Sequence, residues 1–186
     1  MTESSLGIQN ANLRDANPSD LPELTAILNQ QIEETVNSFR LGPISGPASL
    51  QWWAAHQDPR FPILVAPAGG GNASAGRDDV SVAGWASLSP WSSYEAYGKT
   101  AEVSIWVRPD FHRQGLGRRL MEGLVGRARN VGHRVLLSRV EANNRGSLRL
   151  HELFGFRTIG TMHQVGEKFS QRLDVVMLEL LLDGEQ

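Results

Sequence analysis

The clearest chemistry in the chain lies in the run Val107-Arg108-Pro109-Asp110-Phe111-His112-Arg113-Gln114-Gly115-Leu116-Gly117-Arg118. The apolar stretch Ile105-Trp106-Val107 stops at Pro109. A turn rich in glycine and arginine follows, and apolar residues then recur at helical spacing from Leu116. Glycine lets a backbone approach a ligand closely, and the first turn of a helix carries N–H groups with no internal partner. Together they aim several donors and the positive end of a helix at one point, which suits a phosphate. The run lacks the third glycine of a dinucleotide fingerprint and the Gly-Lys-Ser/Thr of a P-loop. It specifies an anion cradle without naming the anion.

The elements that must hold this loop read as alternating strands and helices. Residues 1–7 read as a disordered N-terminus, 8–182 as one domain and 183–186 as a tail. Ile8–Asp15 reads as a short strand. Asn17-Pro18-Ser19-Asp20 supplies a helix start with Ser19 as N-cap, and Leu21, Leu24, Ile27, Leu28 and Ile32 follow at helical spacing. Thr35–Pro47, with its Gly-Pro pairs, reads as a loop, and Ser49 as the cap of a short helix through Trp52 and Trp53. Strands are expected over Phe61–Ala66 and Val80–Leu88, with Pro67–Asp79 as a glycine-rich hairpin tip.

Thr100–Val107 reads as a strand. Leu120, Met121, Leu124, Val125 and Ala128 form the apolar stripe of a helix that begins at Leu116 and closes at Gly132. Val135–Val140 is a strand, and Ser147–Phe154 is a helix that Gly155 stops. Arg157–Val165 and Leu173–Leu181 are strands joined by Gly166-Glu167-Lys168. The order is β-α-α-β-β-β-α-β-α-β-β, an α/β sheet of mixed directions with one clear βαβ crossover at Gly115.

Bulk numbers narrow the function classes. A chain of 186 residues, 40% hydrophobic and 20% charged, is a globular domain with room for a core. No apolar run approaches a membrane span, and Met1–Gly7 has no signal-peptide character, so a cytoplasmic protein is expected. Without cysteine there is no disulfide, thiolate metal site or cysteine nucleophile, and the histidines lack metal-binding spacing. Net charge is −2, yet between Arg108 and Arg149 ten arginines stand against only Asp110, Glu122 and Glu141. Arginine's planar fork suits phosphate oxygens. A local basic zone in an otherwise acidic chain fits a small polyphosphate better than nucleic acid.

A second unit lies one strand beyond the loop: Asn144-Arg145-Gly146-Ser147, then Leu150-His151-Glu152, then Gly155-Phe156. Loop and unit together resemble the GNAT superfamily of acyl-CoA N-acyltransferases. That family's phosphate loop reads Gln/Arg-x-x-Gly-x-Gly/Ala, matched here by His112 to Gly117 with histidine in the Gln/Arg position. Ala83-Gly84-Trp85-Ala86-Ser87, Thr100 to Val107, Ser147 to Glu152 and Val165 to Val176 also stand in the order of the phosphinothricin (methionine sulfoximine) acetyltransferase branch. The resemblance spans about Ile8 to Leu181. It implies the GNAT fold: a mixed, mostly antiparallel central sheet of about 6–7 strands, flanked by helices and splayed between the two central strands.

The resemblance also implies transfer of acetyl from acetyl-CoA to the primary amine of a small amino-acid-like acceptor, without metal, in a homodimer. An amine is mostly protonated at neutral pH and must lose a proton before it attacks, so a general base is needed. Glu102 matches the branch's catalytic glutamate. His151 matches its helix histidine, with proton donor, donor to the intermediate and anchor all open as roles. Val103, Ile105, Trp106 and Val107 are expected on a splayed strand, whose free amides hold the pantetheine arm and the oxyanion. Arg113, Gln114, Gly115, Leu116, Gly117 and Arg118 are expected at the pyrophosphate, and Asn144 and Ser147 at the pantetheine. The bland readings are a solvated glutamate, ordinary sheet core and a helix cap.

The acceptor side follows the branch less closely. Trp91, Ser92, Ser93, Tyr94, Lys168, Phe169 and Arg172 are expected to bind the acceptor. Relatives, however, often carry arginine just after the tryptophan and at the place of Gly98. Arg172 stands where the branch has an aromatic residue, and its fork could take an acceptor carboxylate from a new direction. Three alternatives accompany the small-amine reading. The same fold could acetylate an arylamine, polyamine or protein N-terminus, could bind acyl-CoA without catalysis, or could bind nucleic acid. Glu102 and His151 together argue against a passive module.

Overall fold

The computed structural model describes residues 13–68 and 81–182. The expected frayed terminus, most of the first strand, the glycine-rich tip and the tail fall wholly or partly outside those residues. The described elements are β1 (Arg14–Asp15), α1 (Leu21–Glu34), α2 (Gly46–Ala55), β2 (Ile63–Pro67) and β3 (Val82–Pro90). They continue as β4 (Thr100–Val107), α3 (Leu116–Asn130), β5 (Val135–Glu141), α4 (Arg145–Leu153), β6 (Arg157–Lys168) and β7 (Gln171–Leu181). The seven strands form one sheet in the order β1-β2-β3-β4-β5-β7-β6.

Every neighbouring pair is antiparallel except β4 and β5. A parallel pair needs a long crossover, and α3 supplies it. β4 and β5 stay in register only from Thr100↔Val135 to Glu102↔Leu137. Beyond Glu102 they part, while β3 stays paired with β4 as far as Val107. The sheet is splayed at its centre.

Apolar residues cover both faces. Leu116, Leu120, Met121, Leu124, Val125 and Ala128 of α3 pack on Leu64, Ala86, Leu88, Ala101, Val103 and Leu136. On the other face Leu24, Ile27, Leu28 and Ile32 of α1 pack on Ile63, Val65, Val82 and Trp85. Burying each leucine, isoleucine, valine or methionine among them is worth roughly 1.5–3 kcal/mol against exposure. The buried Trp85 indole finds its hydrogen-bond partner in the Leu24 carbonyl at 3.1 Å.

Local chemistry corrects three sequence expectations. Asn17, not Ser19, caps the first helical turn: its side chain accepts from the Ser19 amide, and Asp20 reaches back to the Asn17 amide. Asp20 is also gripped by Arg14 at 2.6 and 2.7 Å, which ties β1 to α1. The second helix begins at Gly46 behind Ser45, with Pro47 in its first turn, so Ser49 lies inside it and bonds back to the Gly46 carbonyl. Proline fits there because that turn's N–H groups have no helical partner.

The β6–β7 tip is Phe169-Ser170, both at positive φ, and Gly166-Glu167-Lys168 belongs to β6. A two-residue turn with both central residues left-handed matches the twist of a hairpin. With neither glycine nor asparagine at the tip, nothing in its residue types marks this turn.

Candidate functional site

The splay opens a cavity of about 920 Å³ running from the α1–α2 face of the sheet, past β4, to the loop before α3 and on to α4. β4 forms its central wall, and Val103, Ser104, Ile105, Trp106 and Val107 all line it. Successive amides of a strand point to opposite edges. The Arg108 amide bonds the Ala83 carbonyl of β3 at 3.0 Å, so the amides of Ile105 and Val107 face the other way, along the edge that β5 has left.

The loop is built by backbone exceptions. Gly115 sits at φ 76° as the N-cap of α3, and Arg113 at φ 59° takes the same left-handed region despite its side chain. At Gly117 an added Cβ would lie 3.4 Å from Leu150 of α4, so the helix start passes close against α4. Arg113, Gly115, Leu116 and Gly117 line the cavity, whereas Gln114 and Arg118 do not. The Gln114 amide instead donates to the Asp110 carbonyl at 2.9 Å. His112, the departure from the family loop, also lines the cavity, and its Nε2 donates to the Val107 carbonyl at 2.9 Å. The ring thereby clips the loop to the end of the open strand.

Glu102 is half-buried where β4 and β5 separate. Arg139 of β5 holds both its oxygens, Nε to Oε1 and Nη2 to Oε2, each at 2.6 Å. This is a bidentate fork, the strong form of the pair. The Glu102 carboxylate in turn raises the Arg139 guanidinium above its ordinary value, chiefly through these hydrogen bonds. Arg139 also lies over the Trp91 ring, 5.6 Å from its centroid. Sequence reasoning missed Arg139, although a charge alternating with apolar residues on a central strand was a signal available to it.

His151 is buried on α4 and packs edge-on against Phe156. Its Nδ1 lies 2.8 Å from the Ser147 carbonyl oxygen, which can only accept, so Nδ1 carries the proton. Burial lowers its pKa below the ordinary histidine value and keeps the ring neutral. Nε2 is then an acceptor, and among the described residues it has no partner. Asn144 caps α4 through the Ser147 amide at 3.1 Å and donates to Asn37 at 2.9 Å. Both Asn144 and Ser147 line the cavity.

The expected acceptor residues do not gather there. None of Trp91, Ser92, Ser93, Tyr94, Lys168, Phe169 and Arg172 lines the cavity, and Trp91 reaches it only through Arg139. The buried Lys168 ammonium donates to the Ser38 carbonyl at 2.8 Å, where it anchors the α1–α2 loop. Arg172 donates to Gln164 at 2.9 Å, Phe169 is exposed at the hairpin tip, and Tyr94 is exposed as well. The wall beside Glu102 is formed instead by Gln31, Trp52, Ser87, Ser89 and Ser104, which the sequence did not single out. Among the described residues no group of three or more His, Asp or Glu could hold a metal ion.

The Acetyltransferase (GNAT) family matches residues 28–156. The L-methionine sulfoximine/L-methionine sulfone acetyltransferase of Pseudomonas paraeruginosa is 35% identical over 173 residues, covering 93% of this chain and 95% of that protein. A Salmonella typhimurium structure, described as a proposed acetyltransferase with its cofactor acetyl-CoA, superposes with a TM-score of 0.84. It is 31% identical and covers 95% of this chain and 96% of its own. A phosphinothricin acetyltransferase of Sinorhizobium meliloti, solved in complex with acetyl-CoA, superposes at 0.83 with 26% identity, over 92% and 88% of the two chains.

Proposed function

The chain belongs to the GNAT family of acetyl-CoA-dependent N-acetyltransferases, and from that premise we propose that it acetylates the primary amine of a small amino-acid-like acceptor by direct attack, with Glu102 as general base. One observation carries this reading. A single cavity of about 920 Å³ is lined at once by Glu102, by the open edge of β4 and by the glycine loop. A base, a row of free amides and an anion cradle are what acyl transfer from a phosphorylated thioester requires. The relative from Pseudomonas paraeruginosa, named for an amino-acid-like substrate, supports the acceptor class.

The residues fit acetyl-CoA. Arg113 and the backbone from Gly115 to Gly117 would hold its pyrophosphate. The Ile105 and Val107 amides and the Asn144–Ser147 turn would hold the pantetheine. When bound, it supplies the activated acetyl group.

Glu102 takes one proton from the acceptor ammonium, directly or through a water, using lone pairs that Arg139 leaves free. The freed nitrogen attacks the thioester carbonyl carbon, a C–N bond forms, and the carbonyl electron pair moves to oxygen, met by β4 amides. Collapse breaks the C–S bond, and a second proton from nitrogen ends on the departing sulfur. His151, neutral with its lone pair on Nε2, serves as a hydrogen-bond acceptor at the cavity wall. It is not a ready acid for the thiolate. The carbonyl oxygen meets donors already in place, so no reorganisation is needed as its charge develops.

Two further expectations join the proposal: a cytoplasmic location and a homodimer. The exposed apolar residues Ile159, Met162 and Val165 on edge strand β6 support a second copy as partner.

The test is release of free CoA from acetyl-CoA across a panel of L-amino acids, methionine sulfoximine, phosphinothricin, arylamines, polyamines and N-terminal peptides. Fastest turnover is expected on an amino-acid α-amine. A preference for peptides or polyamines would replace the acceptor assignment, and no transfer to any amine would remove it.

A further inference from the structure

Ser89 stands beside Glu102. The two are partners across the β3–β4 ladder, so their side chains share one sheet face, and both line the cavity. Behind Ser89 lies His56 of the α2 C-terminus, only 9% exposed. Its Nδ1 is 2.8 Å from the Trp52 carbonyl oxygen and its Nε2 is 3.1 Å from the Ser89 hydroxyl.

A carbonyl oxygen only accepts, so Nδ1 carries the ring's proton. Burial lowers the pKa of His56 and keeps the ring neutral, which leaves a lone pair on Nε2. The single hydroxyl hydrogen of Ser89 must then point back at His56. The lone pairs of Ser89 are offered beside the carboxylate of Glu102. This corner presents two kinds of oxygen acceptor side by side.

We infer that Ser89, its hydroxyl turned by His56, is a second recognition point for the acceptor's ammonium group and makes the site favour amine over hydroxyl acceptors. A primary ammonium carries three N–H donors, enough to satisfy Glu102 and Ser89 together, whereas a hydroxyl nucleophile carries one. The inference rests on Glu102 marking where the amine binds. His56 touches no substrate and acts through Ser89, as a positioning residue. Without the imidazole the hydroxyl turns freely and can present its hydrogen to the ammonium, which repels it.

The test uses the full-length enzyme and the fastest amino acid of the panel. Ser89→Ala raises the acceptor KM about tenfold or more, the scale of one hydrogen bond to a charged group, with the KM for acetyl-CoA held. Ser89→Thr, which keeps the hydroxyl, restores most of it. His56→Phe raises the acceptor KM in the same direction, and the double variant Ser89→Ala with His56→Phe adds nothing beyond Ser89→Ala alone.

An acceptor KM unchanged in Ser89→Ala, or shifts that multiply in the double variant, would overturn the inference. Glu102→Gln, run in parallel, separates the two readings. If Glu102→Gln is slow and Ser89→Ala keeps its KM, only the role of Ser89 falls. If Glu102→Gln turns over normally, the placement of the amine falls first.

Discussion

Glu102 and His151 were both legible as residues of interest, but their chemistry depends on neighbours that the sequence keeps distant. Arg139 lies 37 positions from Glu102 and still takes both of its oxygens. The pair fixes the carboxylate where β4 leaves β5. Glu102→Gln keeps the shape and removes the proton acceptor. It is expected to bind acetyl-CoA normally and to lower kcat by 10²-fold or more, on the scale of general-base catalysis. The loss should ease as pH rises from 7 to 9.5, because more of the acceptor is then already deprotonated. Initial rates of CoA release check this, and unchanged turnover at neutral pH removes the base role. Arg139→Gln, which frees the carboxylate to move, is expected to cost about tenfold in kcat with little change in the acetyl-CoA KM.

At the scale of elements, the loop and the start of α3 were the most readable part of the chain. Gly115 holds a positive φ that any other residue would adopt with strain, and Gly117 lies where α3 passes α4. Gly117→Trp is expected to abolish acetyl-CoA binding in a calorimetric titration while the fold, read by circular dichroism, persists. Retained affinity would sink the phosphate-site assignment. The stripe Leu116 to Ala128 was equally readable, since helical spacing of apolar residues is a local pattern that burial then obeys. Ser45, Asn17 and the Phe169-Ser170 turn were not. Several polar residues compete for each cap, and left-handed Phe and Ser carry no compositional mark.

On the scale of the whole molecule, burial of uncharged histidine links stability to pH. His56 and His151 both lie below the ordinary value of 6.5, in each case first because burial opposes the charged form. The unfolded chain therefore binds more protons than the folded one as pH drops through this range. Their contribution to stability is complete above about pH 6.5 and is lost as pH falls toward the folded values. Thermal unfolding from pH 7.5 to 5.5 should show a falling Tm, and His56→Phe should flatten part of that fall. A Tm independent of pH in this window would contradict the neutral, buried state of both rings. Among the described residues no helix is long and apolar enough to cross a membrane.

The sequence by itself determined the glycine loop at the start of α3, the order of strands and helices, and the residues through which the chain resembles its family. These are local properties: glycine's freedom, helical and strand periodicity, and the adjacency of loop and helix start. Only the tertiary structure decided what surrounds Glu102. The parting of β4 from β5 after Glu102 sets Arg139 on the carboxylate, and the pairing of β3 with β4 sets Ser89 beside it. The packing of α2 behind the sheet turns His56 toward that serine. The expected acceptor residues Lys168 and Arg172 are instead engaged with Ser38 and Gln164. Strand register and helix packing bring together residues tens of positions apart, and no local pattern records which pairs will meet. The glycine loop could therefore be read along the chain, while the wall beside Glu102 had to be read across the sheet.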